Sequence, residues 1–235
     1  MDKFFVTGDT HGDLSRIYNW VERFDMNKDN VHIIIAGDAG ICWRKDKKDM
    51  IAAIKKQEQY NFHLWFIDGN HENFDILKEF SPINSSGIAN LGNNLHYITR
   101  GTKLTIMTKN GIKTILCCGG ADSIDKALRT PHIDWWADEA ITQEDVDKCL
   151  EHKKDIKKVD YIITHCCPYS VFKRYAVHLI TLTGIDQGVV EHESELMLER
   201  LAANMDCNKH FFGHYHVDKQ LDDKYRCILN DFIEL

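Results

Sequence analysis

Seven polar residues in this chain offer the carboxylate, amide and imidazole groups that two neighbouring divalent metal ions need as ligands. They are spread over most of the sequence: Asp9, His11, Asp38, Asn70, His165, His214 and His216. A ligand set of oxygen and imidazole donors without thiolates suits several first-row metals. We predict two divalent ions, with Mn²⁺ in first place and Fe²⁺, Zn²⁺, Ni²⁺ or Co²⁺ as alternatives that the sequence does not separate.

Each of these residues comes at or just after a run of aliphatic, β-branched or aromatic residues, which predicts a position at the C-terminal end of a strand. Five short motifs carry them: Gly8-Asp9-Thr10-His11-Gly12, Gly37-Asp38-Ala39-Gly40, Gly69-Asn70-His71-Glu72, Thr164-His165 and Gly213-His214-Tyr215-His216. This edge of an α/β sheet is where ligands gather. We therefore expect the motif strands to lie in one sheet and to bring all seven side chains together.

The hydrophobic pattern predicts alternating strands and helices in the first third of the chain. Strands are expected at 3–8, 31–36 and 62–68, and helices at 13–25, 47–59 and 72–80. This βαβα order is typical of a largely parallel sheet with helices on its face.

A second sheet is predicted to begin at residue 95. Consecutive strands are expected at 95–99, 103–108 and 112–118, with turns at Arg100-Gly101 and Asn110-Gly111. Helices are expected at 142–153 and 190–205, and strands between 209 and 233 with a turn at 222–224. The fold class is therefore α/β: two mixed sheets flanked by helices, a four-layer αββα sandwich. Since no linker or repeat is visible, residues 1–235 are expected to form a single domain.

The order and content of the five motifs resemble the calcineurin-like metallophosphoesterase superfamily, whose signature runs GDxH, GDxxD, GNHE, a single His and GHxH. The resemblance extends from about residue 4 to residue 216. The second motif lacks the second Asp and the Arg-Gly pair of the Ser/Thr protein phosphatase branch. Three further stretches look like a bacterial and phage subgroup: Gly119-Gly120-Ala121-Asp122-Ser123-Ile124-Asp125, Trp135-Trp136 and Gly184-Ile185-Asp186-Gln187.

The resemblance implies a division of the seven ligands between two ions. Asp9, His11 and His216 would bind the first ion, and Asn70, His165 and His214 the second. Asp38 would bridge the two ions and take part in catalysis. The implied activity is hydrolysis of phosphate mono- or diesters by attack of a metal-bridging hydroxide. His71 would stand near the leaving group as a general acid or as a hydrogen-bond donor to the transition state.

Substrate contacts are predicted for Asn70 and His71, and Arg44 is a further candidate. Arg44 and Arg129 could each clamp a phosphate, or could be ordinary surface guanidinium groups. The pair Trp135-Trp136 could stack on a nucleobase, cover the site or pack against the second sheet.

Two alternatives to a general phosphoesterase remain. One is a phosphodiesterase or nuclease that acts on nucleotides or single-stranded nucleic acid, and the other is a scaffold that keeps the fold without catalysis. The expected partner is a phosphate ester, either a small molecule or a nucleotide. The net charge of −7 argues against long duplex nucleic acid, which requires many basic contacts. The oligomeric state stays open.

The sequence predicts a cytoplasmic enzyme that does not cross a membrane. No apolar stretch approaches the ~20 residues of a membrane span. Met1 leads directly into the first strand without room for a removable signal peptide. The eight cysteines are expected to stay reduced, mainly as buried thiols rather than as zinc or redox sites.

Overall fold

The structure, a computed structural model, describes residues 1–80, 86–179 and 192–235. The strands are β1 (Lys3–Thr7), β2 (Val31–Ile35), β3 (His63–Phe66), β4 (Ile88–Asn90), β5 (Leu95–Ile98), β6 (Thr102–Thr108), β7 (Gly111–Cys118), β8 (Lys158–Thr164), β9 (Asp206–Phe212), β10 (Lys219–Gln220), β11 (Tyr225–Cys227) and β12 (Ile233–Glu234). The helices are α1 (Ser15–Arg23), α2 (Lys48–Gln57), α3 (Phe74–Glu79), α4 (Gln143–Glu151), α5 (Tyr169–Leu179) and α6 (Glu193–Asn204). The predicted stretch from Gly184 to Gln187 lies outside the described residues, as do the first two residues of the predicted helix 190–205.

The described strands form two mixed sheets of six strands each. The first sheet has the order β12-β1-β2-β3-β5-β4, and the second has the order β10-β11-β9-β8-β7-β6. In the first sheet β1, β2, β3 and β5 are parallel, whereas β12 and β4 run antiparallel at its edges. The predicted α/β class with two mixed sheets is confirmed.

Hydrophobic residues of alternating orientation hold the layers together. Ile33 and Ile35 of β2 face a core shared with α1, α2 and α3, whereas Ile34 faces the second sheet. Strands that are buried on both faces read as continuous hydrophobic runs, as β2 does. On the far side, Leu198 and Leu201 of α6 pack into a core with residues of the second sheet, α4 and α5. The layers therefore follow the order helices, sheet, sheet, helices.

Two expectations about the sheets are wrong. The motif strands do not share one sheet, because β1, β2 and β3 belong to the first sheet and β8 and β9 to the second. In addition β5 does not begin the second sheet but pairs parallel with β3. The ring of Tyr97 in β5 stacks on that of Phe66 in β3, with centroids 5.2 Å apart, and both residues are part of the first helical core. The turn residues after β5 showed that the chain reverses, but not which sheet it enters.

Several other features bear on the sequence predictions. The helix α5 and the short strand β4 were not predicted. All eight cysteines are buried with free thiols, as expected. Among the described residues, no helix has the length and apolar character needed to span a membrane.

Three histidines from neighbouring strands stack at the end of the first sheet opposite the motifs. The rings of His32 and His63 lie 4.8 Å apart, and His63 Nδ1 lies 3.1 Å from His96 Nε2. Burial, together with the neighbouring His63, lowers the pKa of His32 and of His96 to about 4, while Asp2 opposes the shift at His32. The stack is therefore neutral at pH 7.

We expect this stack to destabilise the protein as the pH falls from 6.5 towards 4. The unfolded histidines take up protons near pH 6.5 and the folded ones only near pH 4, so the unfolded state binds more protons in this window. The loss of unfolding free energy is on the order of 1–2 kcal/mol per histidine between pH 7.5 and pH 5. Urea unfolding of His96→Gln should show a smaller loss than the native protein. The exposed His178→Gln is the matched control and should behave like the native protein.

Candidate metal centre

Four of the seven predicted ligands form one tight group of donor atoms. One donor atom from each of Asp9, His11, Asp38 and His216 lies within 4.8 Å of the others. The Nε2 atoms of His11 and His216 are 2.9 Å apart, and His216 Nε2 is 3.2 Å from Asp9 Oδ2. Such a cluster of imidazole and carboxylate donors has the composition of a divalent metal site.

The other predicted ligands form a second group beside the first. Asn70 Oδ1 lies 3.2 Å from His165 Nε2 and 3.0 Å from His214 Nδ1. The carboxylate of Asp38 stands between the two groups. Its Oδ1 is 3.2 Å from His165 Nε2, and its Oδ2 is 3.9 Å from His11 Nε2. All seven side chains therefore converge, although the strands before them belong to two sheets.

Several of the candidate ligands have unusual backbone conformations, which orient their side chains towards the centre. His11, Asp38, His214 and His216 have φ angles of 46°, 49°, 68° and 51°. Residues other than glycine rarely adopt this left-handed region, and such strain concentrates at functional sites. Glycines make the close approach possible, because a methyl group at Gly37 would overlap the ring of His165 and one at Gly69 would overlap the carboxylate of Asp38.

The charges in the group favour an ionised Asp38. Burial opposes its ionisation, but the neighbouring His165 holds the pKa of Asp38 well below its ordinary value. Burial likewise opposes a charge on His165, yet Asp38 raises the pKa of His165 to about 10. The Nδ1 atom of His165 is 2.8 Å from the carbonyl oxygen of Ala36, to which it donates, so the Nε2 atom faces Asp38.

Glu72, the last residue of the third motif, holds two loops in place. It is fully buried and accepts hydrogen bonds from Gly69 N at 2.6 Å and Gly40 N at 3.3 Å. Burial, together with repulsion from Asp38, raises the pKa of Glu72 to about 8. This role was not predicted, although the residue is part of the motif.

His71 is turned towards an arginine. Its Nε2 lies 3.1 Å from an Nη atom of Arg129, and its backbone N–H donates to Asp38 Oδ1 at 2.8 Å. Because a guanidinium group only donates, Nε2 accepts here and the ring proton sits on Nδ1. Burial lowers the pKa of His71, Asp38 opposes that shift and Arg129 lowers the pKa further. Arg129 itself is anchored by Asp125, with 2.7 Å between Nε and Oδ1.

A second pair of residues reaches the site behind Asn70. Asn70 Nδ2 donates to Ser123 Oγ at 3.2 Å, and Ser123 Oγ donates to Glu139 Oε2 at 2.8 Å. Burial raises the pKa of Glu139 to about 7, while hydrogen bonds from Ser123 and Trp135 oppose the shift. Ser123 lies in one of the stretches that carry the subgroup resemblance and Glu139 follows Trp135-Trp136, but no role was predicted for either residue.

Arg44 lies at the edge of the centre rather than within it. Together with Trp43, His11 and His71 it lines a cavity of about 360 Å³. Its exposed guanidinium pairs with Asp46, with 3.0 Å between Nε and Oδ1. A contact between Arg44 and substrate stays a prediction.

The two tryptophans serve packing and hydrogen bonding. Trp136 is fully buried in the core that joins the first sheet to its helices, not against the second sheet. Its Nε1 donates to Asp75 Oδ2 at 2.9 Å. Trp135 Nε1 donates to Glu139 Oε1 at 2.9 Å. Trp135 therefore helps to hold the Glu139 carboxylate.

A family model of calcineurin-like phosphoesterases matches residues 2–218. The chain belongs to the calcineurin-like phosphoesterase family. The resemblance predicted from the motifs is therefore confirmed over nearly the whole sequence. Calcineurin-like phosphoesterases generally are metal-dependent hydrolases of phosphate esters, so a phosphoester hydrolase that uses divalent metal is the class to which this chain is assigned.

The chain is also similar to solved structures of low sequence identity. The calcineurin-like phosphoesterase YfkN from Bacillus subtilis gives a TM-score of 0.47 at 13% identity, covering 96% of this chain and 80% of that one. The phosphopantetheinyl hydrolase PptH from Mycobacterium tuberculosis gives a TM-score of 0.45 at 12% identity, covering 97% and 88%. No curated protein sequence matches the chain. Similarities this distant do not identify a substrate.

Proposed function

We propose that this calcineurin-like phosphoesterase is a dinuclear enzyme that hydrolyses phosphate mono- or diesters. The observation that carries the proposal is the position of Asp38, whose two carboxylate oxygens face His165 on one side and His11 on the other. Asp9, His11 and His216 would hold one ion, Asn70, His165 and His214 the other, and Asp38 both. We also propose that residues 1–235 form the one domain that carries this activity.

The donor atoms fit two divalent cations. The Nε2 atoms of His11 and His216 approach to 2.9 Å and both present lone pairs when deprotonated, so a cation between them would satisfy both. Asn70 Oδ1 faces two imidazole nitrogens in the same way. Bound divalent cations would supply Lewis acidity towards the phosphoryl oxygens and would lower the pKa of a water molecule.

The charge of the centre suits an anionic substrate. Two divalent ions against the carboxylates of Asp9 and Asp38 leave a local charge of about +2, inside a protein with a net charge of −7. Arg129 adds a cation beside His71. A phosphate group would therefore bind at a local positive potential, with His71 and Arg129 available as donors to its oxygens or to the leaving group.

A second candidate function is hydrolysis of nucleotides or single-stranded nucleic acid. The cavity beside His11 and His71 supports it, because the cavity is lined by the indole of Trp43 and by Arg44. An aromatic face beside a cationic group offers stacking to a base and a contact to phosphate. Monoester and diester hydrolysis are both compatible with this cavity.

We expect the protein stripped of metal to be inactive and to regain activity when Mn²⁺ or another divalent ion is restored. The substrates to compare are p-nitrophenyl phosphate, bis-p-nitrophenyl phosphate, cyclic nucleotides, dinucleoside polyphosphates and a phosphopeptide. The ratio of diester to monoester rates decides between monoester and diester hydrolysis, and the rates on cyclic nucleotides and dinucleoside polyphosphates relative to the p-nitrophenyl esters test the nucleotide function. If no substrate is hydrolysed with Mn²⁺, Fe²⁺, Zn²⁺, Ni²⁺ or Co²⁺, the protein is a scaffold and the proposal is wrong.

A further inference from the structure

The amide of Asn70 is linked by hydrogen bonds to Ser123 and, through its hydroxyl, to Glu139, more than fifty positions later in the chain. We propose that Ser123 and Glu139 are positioning residues, which turn the amide oxygen of Asn70 towards the metal centre and thereby set the affinity for the second ion. This inference rests on the proposed function, because it takes Asn70 as a ligand. Neither the motifs nor the family match assigns a role to Ser123 or Glu139.

The three residues form one buried hydrogen-bond chain. Asn70, Ser123 and Glu139 are only 4%, 6% and 3% exposed. Nδ2 of Asn70 donates to Ser123 Oγ at 3.2 Å, and that hydroxyl lies 2.8 Å from Glu139 Oε2. Because a buried polar group needs a partner, each of these contacts restricts the direction of the next one.

The direction of the chain follows from the carboxylate. An ionised carboxylate only accepts hydrogen bonds. Glu139 Oε1 accepts from Ser123 N at 2.7 Å and from Trp135 Nε1 at 2.9 Å, while Oε2 accepts from the hydroxyl of Ser123. The hydroxyl hydrogen is therefore committed to Glu139, and the Oγ lone pairs are left for Asn70.

Asn70 must then present its NH₂ group to Ser123 and its oxygen to the opposite side. On that side Oδ1 lies 3.2 Å from His165 Nε2 and 3.0 Å from His214 Nδ1. If the amide were turned the other way, its two N–H groups would point at a bound cation. The cation would repel them, because they carry partial positive charge. The carboxylate of Glu139 thus determines, through one hydroxyl, which atom of Asn70 faces the centre.

The backbone segments at both ends of this hydrogen-bond chain are bound by the buried guanidinium of Arg100. Arg100 donates to the carbonyl oxygens of Asp138 at 2.8 Å, Glu139 at 3.0 Å and Ala140 at 2.8 Å. The same side chain donates from Nε to Asp68 Oδ2 at 2.7 Å, two residues before Asn70. Arg100 therefore restrains the backbone segments of both Glu139 and Asn70. A hydrogen bond that is lost at Ser123 is then not easily replaced by a direct contact between these two residues.

Binding of Mn²⁺ tests the inference when it is measured by isothermal titration at pH 8.5, where Glu139 is ionised. We expect Ser123→Ala to bind the second ion 10- to 100-fold more weakly, the usual cost of removing a partner that orients a ligand, and to bind the first ion normally. The nearly isosteric Glu139→Gln should also weaken the second ion, because its NH₂ group would compete for the Ser123 lone pairs. Two neighbouring Mn²⁺ ions give a spin-coupled signal in electron paramagnetic resonance. Both variants should lose this signal at Mn²⁺ concentrations that saturate the native protein.

Two controls separate positioning from general stabilisation. Ser194 is another fully buried serine, whose Oγ accepts from Ile141 N at 3.0 Å, and Ser194→Ala should leave both ion affinities unchanged. In an Asn70→Ala background, Ser123→Ala should cause no further loss of affinity, because the group it positions is gone.

The possible outcomes distinguish a failure of the positioning role from a failure of the proposed function. If the native protein binds two ions and Ser123→Ala binds both with native affinity, the positioning role is wrong and the proposed function stands. An equal loss of both ions in Ser123→Ala, matched by Ser194→Ala, would also overturn it, since it would show a stability effect alone. If the native protein binds no second ion, the dinuclear function and this inference fail together.

Discussion

We expect the Asp38→Asn variant to lose phosphoesterase turnover to the detection limit and to bind both metal ions poorly. The carboxylate lies between the two donor groups, 3.2 Å from His165 Nε2 and 3.9 Å from His11 Nε2. An asparagine keeps one oxygen and directs an NH₂ group at the other site, so one ion meets a donor hydrogen and both lose an anionic ligand. Elemental analysis of the purified variant, together with rates on p-nitrophenyl esters, measures both effects.

A matched control for this variant is Asp13→Asn. Asp13 stands two residues after His11, but its Oδ1 accepts a hydrogen bond from Ser15 N at 3.0 Å at the start of α1. Its replacement should leave both ions and the rate unchanged. Two full equivalents of metal in an active Asp38→Asn variant would contradict the bridging role of Asp38.

The His71→Ala variant should keep both ions but lose rate by roughly 10²–10⁴, the usual contribution of a general acid. The contact of His71 with Asp38 is made by its backbone N–H at 2.8 Å, which alanine retains. The ring instead faces Arg129, 3.1 Å away. The substitution therefore removes the imidazole without removing a hydrogen bond from Asp38. Elemental analysis measures the number of bound ions, and single-turnover rates measure the loss of catalysis.

The leaving group distinguishes the possible roles of His71. p-Nitrophenolate departs with little protonation, so its esters should suffer less from His71→Ala than alkyl phosphates, whose alkoxides need a proton. Equal losses on aryl and alkyl esters would mean that His71 stabilises charge on phosphorus, and loss of a metal ion would make it a ligand. Arg129→Ala in the His71→Ala background should add little if Arg129 acts through His71.

The sequence by itself determined the family and the strands that precede the motifs, and it supplied the candidate ligand residues. Each motif follows a run of hydrophobic residues, and the motifs occur in the order of one family, which the family match over residues 2–218 confirms. The parallel pairing of β1, β2 and β3 also follows from the βαβα order, since a parallel neighbour requires a crossover helix. These features depend on residues that are close together in the chain, where hydrophobic period and turn chemistry act directly.

Only the tertiary structure decided how distant segments meet. The motif strands divide between two sheets, and β5 joins the first sheet by pairing parallel with β3 rather than starting the second. The contacts of Arg129 with His71 and of Ser123 with Asn70 span 58 and 53 residues. Such partners are selected by the path of the chain and by the need to satisfy every buried polar group, and neither condition has a period or a spacing in the sequence.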